Sequence, residues 1–279
     1  MKLIIDCGST KADWLILDKG TEVANTSTNG FNPNYTDKDT ISSITLNNNI
    51  YTPYIHDIRE VYFYGSGCAS IKNCNLIEDI FKNIFRSSKI VVNCDLMAAS
   101  HALMGDKNGI VGILGTGSNS CFYENGKIKE RAISLGYILG DEGSGSHIGK
   151  SLLRDYFYAA MPEDLRNRFE ERYDLRRDNV IDNIYSNSQA SRYIASFVPF
   201  AYDNINNSYI KNLCAKCFNE YIDIFLKRYD VSYNNIGIVG SIAYYFRDII
   251  NECFEYQGFN KPQILKSPIE GLKIYHSVY

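Results

Sequence analysis

The chain opens with a short apolar run, Leu3–Ile5, then a polar turn, Asp6-Cys7-Gly8-Ser9-Thr10-Lys11, and turns apolar again over Trp14–Leu17. After a second turn at Asp18-Lys19-Gly20, Thr21–Ser27 completes a predicted three-strand meander. The plan recurs further along. Ile110–Leu114 is apolar, Gly115-Thr116-Gly117-Ser118-Asn119 forms the turn, and Cys121–Tyr123 returns. Glu124-Asn125-Gly126 then carries the Asn-Gly hairpin signal, and Lys127–Ile133 runs outward. Two copies of strand, glycine turn, strand, hairpin, strand imply the duplication of one unit.

Each copy continues into helices and an apolar strand that ends in a small-residue turn. Lys89–Asn93 passes through Cys94-Asp95 into the helical Leu96–Met104, and Asn235–Val239 passes through Gly240-Ser241 into Ile242–Ile250, so the two strands read as counterparts. Val61–Tyr64 is a strand ending at Gly65-Ser66-Gly67. In Leu76–Arg86, residues Leu76, Ile77, Ile80, Phe81, Ile84 and Phe85 make one helical core stripe. From Ser144 to Tyr229 the pattern is almost wholly helical, with Ile148–Ala160, Glu163–Tyr173, Asp178–Tyr185, Arg192–Tyr202 and Ile205–Tyr229 as predicted helices. The expectation is an α/β chain of two domains, 1–108 and 109–279, facing a common cleft, with a helical insertion over about 144–230 in the second. Pro262–Lys266 reads as a closing strand, and Ile269–Tyr279 packs on one domain or the other.

Composition narrows the class. A length of 279 residues agrees with two domains at roughly 150 residues each. With 45% hydrophobic and 22% charged residues, disordered, collagenous and coiled-coil classes are excluded. Twenty-nine basic residues against 32 acidic ones leave a charge of −3 with no Lys/Arg run, so nucleic acid is not an expected partner. Three consecutive apolar residues before Asp6 are too few for a signal peptide, and no stretch approaches the roughly 18 of a membrane span. A cytoplasmic protein away from membranes is expected. The eight cysteines sit mostly in apolar segments and read as reduced thiols. Cys214 and Cys217 have CxxC spacing but fall on a helical pattern with no second pair, so no metal is assigned to them. His101 and His147 read as satisfied polar positions on helices.

The turns carry the candidate chemistry. Asp6–Lys11 joins strand to strand and lacks the GxxxxGK[ST] spacing, so it is neither a Walker loop nor a dinucleotide fingerprint. A carboxylate, a side-chain-free approach at Gly8, hydroxyls at Ser9 and Thr10 and the Lys11 cation suit a phosphate chain with Mg²⁺ held near Asp6 through water. A plain hairpin with a polar tip is the alternative. Gly115-Thr116-Gly117-Ser118 holds the equivalent place in the second copy, so a triphosphate clamped from both sides is the expected occupant. Gly240-Ser241, with Tyr244 and Tyr245 just beyond, offers a small-residue turn for a flat adenine. Asp95 ends a strand and begins a helix, where carboxylates of α/β sheets face a crevice. It reads as a general base or as a helix cap.

In order, DCGSTKADW, NCDLMAA, GILGTGSNS, LGYILGDEGSGSHIGKSLL and IGIVGSIA resemble the actin, sugar-kinase and heat-shock-chaperone ATPase fold, a duplicated ribonuclease-H-like architecture. Within it they resemble the N-acetylglucosamine kinase branch of the BadF/BadG/BcrA/BcrD ATPase family, GTGSN followed by GDEGSG being the most specific pair. The resemblance implies an enzyme that uses ATP and Mg²⁺ to phosphorylate a small amino sugar, first among them N-acetylglucosamine at its 6-hydroxyl. It implies that Asp6, Gly8, Ser9, Thr10, Lys11, Gly115, Thr116, Gly117 and Ser118 bind phosphates, that Gly240 and Ser241 border adenosine, and that Asp95 is the catalytic base.

It further implies sugar-binding roles for Asn32 and Asp141, with Thr116, Ser134 and Gly145 shaping the pocket. The alternatives are an Asx turn at Asn32 and a helix N-cap at Asp141. Glu142 reads as structural. Two features depart from the family: Ser134-Leu135-Gly136-Tyr137 replaces Gly-rich sequence before GDEG, and the chain ends early, which implies looser domain closure. The rival class is an ATP-driven activator ATPase with a metal cluster. N-acetylmuramic acid and glucosamine are alternative acceptors, and a homodimer is the base-rate assembly.

Overall fold

A computed structural model describes residues 1–187, 189–230 and 235–278; Tyr279, the end of the expected C-terminal segment, lies outside them. The chain divides into two compact units, one of Met1–Lys107, Asn125–Lys127 and Ser267–Tyr279, the other of Asn108–Glu124 and Ile128–Lys266.

The first unit contains β1 (Lys2–Cys7), β2 (Lys11–Asp18), β3 (Thr21–Asn29), α1 (Lys38–Leu46), β4 (Glu60–Gly65), α2 (Ile71–Ile84), β5 (Lys89–Cys94) and α3 (Asp95–Met104). Its sheet has the order β3-β2-β1-β4-β5, with β1 antiparallel to β2 and parallel to β4. The unbroken run Leu3-Ile4-Ile5 suits a central strand because both sheet faces are covered. Leu3, Ile5, Trp14 and Phe63 pack with Ile77 and Phe81 of α2 on one face. Ile4, Leu15, Leu17 and Tyr64 pack with Ala98 and Leu272 on the other. The expected α2 stripe is therefore core.

The second unit contains β6 (Gly109–Leu114), β7 (Ser118–Glu124) and β8 (Lys127–Arg131), then α4 (Gly136–Leu139), α5 (Gly145–Phe157), α6 (Glu163–Arg172), α7 (Arg177–Tyr185), α8 (Ala190–Ala195), α9 (Val198–Asp203) and α10 (Ser208–Tyr221). It closes with β9 (Ile236–Val239), α11 (Ser241–Tyr245), α12 (Arg247–Tyr256) and β10 (Gln263–Leu265). The sheet order, β10-β9-β6-β7-β8, reproduces that of the first unit, which gives the duplicated α/β fold expected from the repeat.

The topology revises one correspondence. Ile236–Val239 pairs in parallel with β6 as β4 does with β1, so its counterpart is β4, and β5 corresponds to β10. Both β4 and β5 end in small-residue turns, so pattern alone could not tell them apart. Two long predicted helices are also interrupted. Arg192–Tyr202 splits into α8 and α9 because Pro199 has no N–H and suits only a first helical turn. Ile205–Tyr229 becomes α10 followed by a π-helical turn over Ile222–Leu226.

The last helix, α13 (Ile269–Val278), packs in the first unit, against α3 and β2. Lys273 Nζ lies 2.6 Å from a Glu22 carboxylate oxygen, and Lys2 Nζ donates to the His276 carbonyl at 3.0 Å.

Candidate functional site

In the first unit, Gly8 N donates to the Lys11 carbonyl at 2.9 Å and Gly30 N to the Thr10 carbonyl at 3.0 Å, closing the β1–β2 turn. A side chain at Gly30 would collide with the backbone of Gly8 and Lys11, so the turn is seated on a bare backbone. Ser9, Thr10 and Lys11 are exposed, and Lys11 Nζ lies 2.7 Å from Asp13, the residue paired across the strands with Asp6. Burial pushes the Asp6 carboxyl up to about 7; Asp13 and Asp95 add to the rise, while Lys11 and a hydrogen bond with Ser267 oppose it. Mutually repelling carboxylates with hard oxygen donors fit a divalent cation. Among the described residues no three metal-ligating side chains form a cage. Mg²⁺ held by one carboxylate, water and phosphate oxygens needs none.

The parallel register Gly65↔Cys94 places the ends of β4 and β5 side by side. Ser66 Oγ consequently donates to Asp95 Oδ2 at 3.0 Å, and Leu96 N donates to Asp95 Oδ1 at 2.9 Å. Burial raises the Asp95 pKa, and those two hydrogen bonds oppose it. Cys94, not Asp95, is the N-cap of α3. Asn32 does form the Asx turn, its Oδ1 accepting from Asn34 N at 2.9 Å. A side chain at Gly67, which has a φ of +82°, would strike that same Oδ1. The Gly65-Ser66-Gly67 turn thus touches both Asn32 and Asp95. Ser66, which bonds that carboxylate, is not singled out by the sequence reading; the small-residue endings of both strands are the available signal.

In the second unit the two glycine-rich segments are bonded to each other. Gly145 N donates to the Gly115 carbonyl at 2.8 Å and Ser146 N to the Thr116 carbonyl at 3.0 Å. Ser118 N donates to Asp141 Oδ1 at 3.3 Å, and a Cβ at Gly117 would come within 2.9 Å of Asp141 Oδ2. Asp141 is buried in a left-handed conformation with φ of 60°, and burial raises its pKa against the Ser118 hydrogen bond and the Lys150 charge. The N-cap of α5 is Ser144, whose Oγ accepts from His147 N at 3.2 Å, so Asp141 does not cap that helix. Ser118 Oγ is buried with no hydrogen-bond partner among the described residues. An unpaired hydroxyl costs roughly 1–3 kcal/mol, which a ligand oxygen would offset. Ser134 stands exposed between β8 and α4 and takes no part in these bonds.

Gly240, at φ 136° and ψ 161°, lies where only glycine is comfortable, and a Cβ there would strike the Leu114 carbonyl. Next to it a cavity of about 450 Å³ brings together Gly115, Thr116 and Ser241 with Ala195, Val198, Pro199, Tyr202, Ile242, Tyr245 and Phe246. Tyr202 and Tyr245 meet edge to face at 5.1 Å, and Lys266 Nζ donates to the Tyr245 hydroxyl at 2.8 Å. The walls from α8 and α9 were not singled out from sequence, because nothing local marks which helix face lines a cavity. Cys214 and Cys217 are buried in α10 with thiol pKa values raised by burial, the state of inert core cysteines.

A duplicated five-stranded sheet, each copy bearing a glycine turn between its first two strands, defines the actin-like ATPase and sugar-kinase class of fold. A crystal structure of a proposed N-acetylglucosamine kinase from Porphyromonas gingivalis superposes with a TM-score of 0.95 at 32% identity, covering 100% of this chain and 99% of that one. The chain belongs to the N-acetylglucosamine kinase-like branch of the BadF/BadG/BcrA/BcrD ATPase family. A second structure, described in the same terms and from Chromobacterium violaceum, shares the fold with a TM-score of 0.66 at 16% identity, over 98% of both chains. The N-acetylmuramic acid/N-acetylglucosamine kinase of Clostridium acetobutylicum is 28% identical over 152 residues, 52% of this chain. That match spans 48% of the curated relative, about half its length. No protein-family model matches the sequence.

Proposed function

We propose that this protein transfers the γ-phosphoryl group of ATP to a hydroxyl of an amino sugar, with the 6-hydroxyl of N-acetylglucosamine as the preferred acceptor. The observation that carries the reading is Asp95: a carboxylate at a strand end, fixed through both oxygens by Ser66 and Leu96 N, with its proton affinity raised by burial. A carboxylate so held is a better proton acceptor than a free one and does not have to reorient. It takes the hydroxyl proton as the sugar oxygen forms its bond to the γ-phosphorus and the bond from that phosphorus to the ADP oxygen breaks.

Asn32 offers an amide donor and acceptor, and Asp141 a carboxylate acceptor, for sugar hydroxyls. The purine lies in the apolar cavity beside Gly240, and the Gly115–Ser118 and Gly8–Lys11 turns receive phosphate oxygens. Asp6 would hold Mg²⁺, which when bound neutralises charge on the phosphates. Cytoplasmic placement follows from this substrate pair. The test is ADP release with Mg-ATP across N-acetylglucosamine, N-acetylmuramic acid, glucosamine, glucose and a no-sugar control. Turnover that depends on N-acetylglucosamine supports the reading, a preference for another amino sugar moves the acceptor, and ADP release indifferent to every sugar overturns the kinase in favour of a regulatory ATPase.

A further inference from the structure

The Asp141 turn holds two left-handed residues, Asp141 at φ 60° and Gly143 at φ 73°. A non-glycine residue is uncommon in that region and persists only where its surroundings over-determine it. Asp141 is tied through its side chain to Ser118 N, and its carbonyl accepts from Ser144 N at 3.1 Å. Gly143 is tied by His147. Its N–H donates to His147 Nδ1 at 3.0 Å. A backbone N–H can only donate, so Nδ1 carries no proton and the neutral ring holds its proton on Nε2, which lies 3.5 Å from a Glu220 oxygen on α10. The neighbouring Tyr221 closes the other side: a Cβ at Gly143 would come within 2.6 Å of Tyr221 Cβ.

We propose that His147 is a positioning residue for the acceptor sugar, acting as the hydrogen-bond acceptor that holds Gly143 and so keeps the Asp141 carboxylate aimed. The proposal rests on the reading above that Asp141 binds sugar. Its consequence is selective. The ring touches the turn that carries Asp141 and does not line the cavity beside Gly240, so its loss weakens sugar use and spares nucleotide use.

The test compares wild type with His147→Leu, His147→Asn and His147→Gln, measuring ADP release with sugar varied at saturating ATP and then ATP varied at saturating sugar. Leucine removes the acceptor, asparagine places Oδ1 two bonds from Cβ, where His147 Nδ1 stands, and so keeps it, and glutamine carries its oxygen one bond further out, past Gly143 N. The expected result is a sugar KM raised by about 10- to 100-fold in the leucine and glutamine variants, the scale set by a misplaced substrate contact. The ATP KM stays within about twofold, and the asparagine variant regains most of the loss. Should the leucine variant fail to fold, the asparagine and glutamine pair decides the matter alone. A sugar KM in the glutamine variant within twofold of wild type, or a parallel rise in both KM values that asparagine does not reverse, overturns the proposal. A wild type without sugar-dependent turnover overturns the kinase reading itself, and this proposal with it.

Discussion

Asp6→Asn should make the first unit more stable while abolishing turnover. Burial, then Asp13 and Asp95, move the folded-state carboxyl from 3.8 to about 7. At about 1.4 kcal/mol per tenfold, that makes its ionised form cost roughly 4 kcal/mol of folding free energy. The folded state keeps a proton that the unfolded chain has already released between those two values. Its stability therefore falls as pH rises through that window, and the whole penalty is present above pH 7. An amide cannot ionise, so most of that penalty, about 2–3 kcal/mol, is regained at pH 8.

Trp14, the only tryptophan, is fully buried in the first unit with its ring 6.3 Å from Phe81, so its fluorescence follows that unit alone. Without Mg²⁺ the urea midpoint of the variant at pH 8 should lie about 1 M above wild type, and the difference should close towards pH 4. Added Mg²⁺ should narrow it by stabilising wild type alone. A midpoint at or below that of wild type at pH 8, or a pH-independent difference, would refute the reasoning.

Asp95→Asn keeps an acceptor for Leu96 N and can donate through Nδ2 to Ser66 Oγ, but cannot take a proton, so kcat should fall about 10²- to 10⁴-fold with both KM values within a few-fold. Near-wild-type kcat in the sugar assay removes the base assignment. Tyr245→Ala deletes one wall of the apolar cavity and its edge-to-face contact with Tyr202, so the ATP KM should rise roughly tenfold with the sugar KM unchanged. Equal ATP KM values would place the purine elsewhere. His101 and His276 both lie 2.9 Å from the Tyr64 hydroxyl and are held neutral mainly by burial, at about 4 and about 3. The unfolded chain takes up protons first below about 6.5, so this contribution is whole above that pH and is lost on acidification. In the Asp6→Asn background the Trp14 midpoint should be lower at pH 5 than at pH 7, and an unchanged midpoint contradicts the burial argument.

What the sequence made legible was what short segments do by themselves. Leu3–Ile5 reads as a buried strand because no exposed strand tolerates three aliphatics in a row, and Asn125-Gly126 reads as a hairpin because its backbone permits a tight reversal. The glycine turns, Asp95 at its strand end and Asp141 beside Gly143 were visible for the same reason. What escaped depends on partners distant in sequence. Which of two similar strands is fourth and which fifth is decided by sheet pairing, not by their matching endings. The cavity wall of Ala195, Val198 and Tyr202 depends on a helix break at Pro199 and on the face each piece then presents. Ser66 lies between these cases. Its position after an apolar strand is local, yet its hydrogen bond to Asp95 follows only from parallel pairing in the register Gly65↔Cys94. Given the sheet order, both strand-end turns must converge on one edge, and a hydroxyl in one beside a carboxylate in the other becomes a deduction from the sequence.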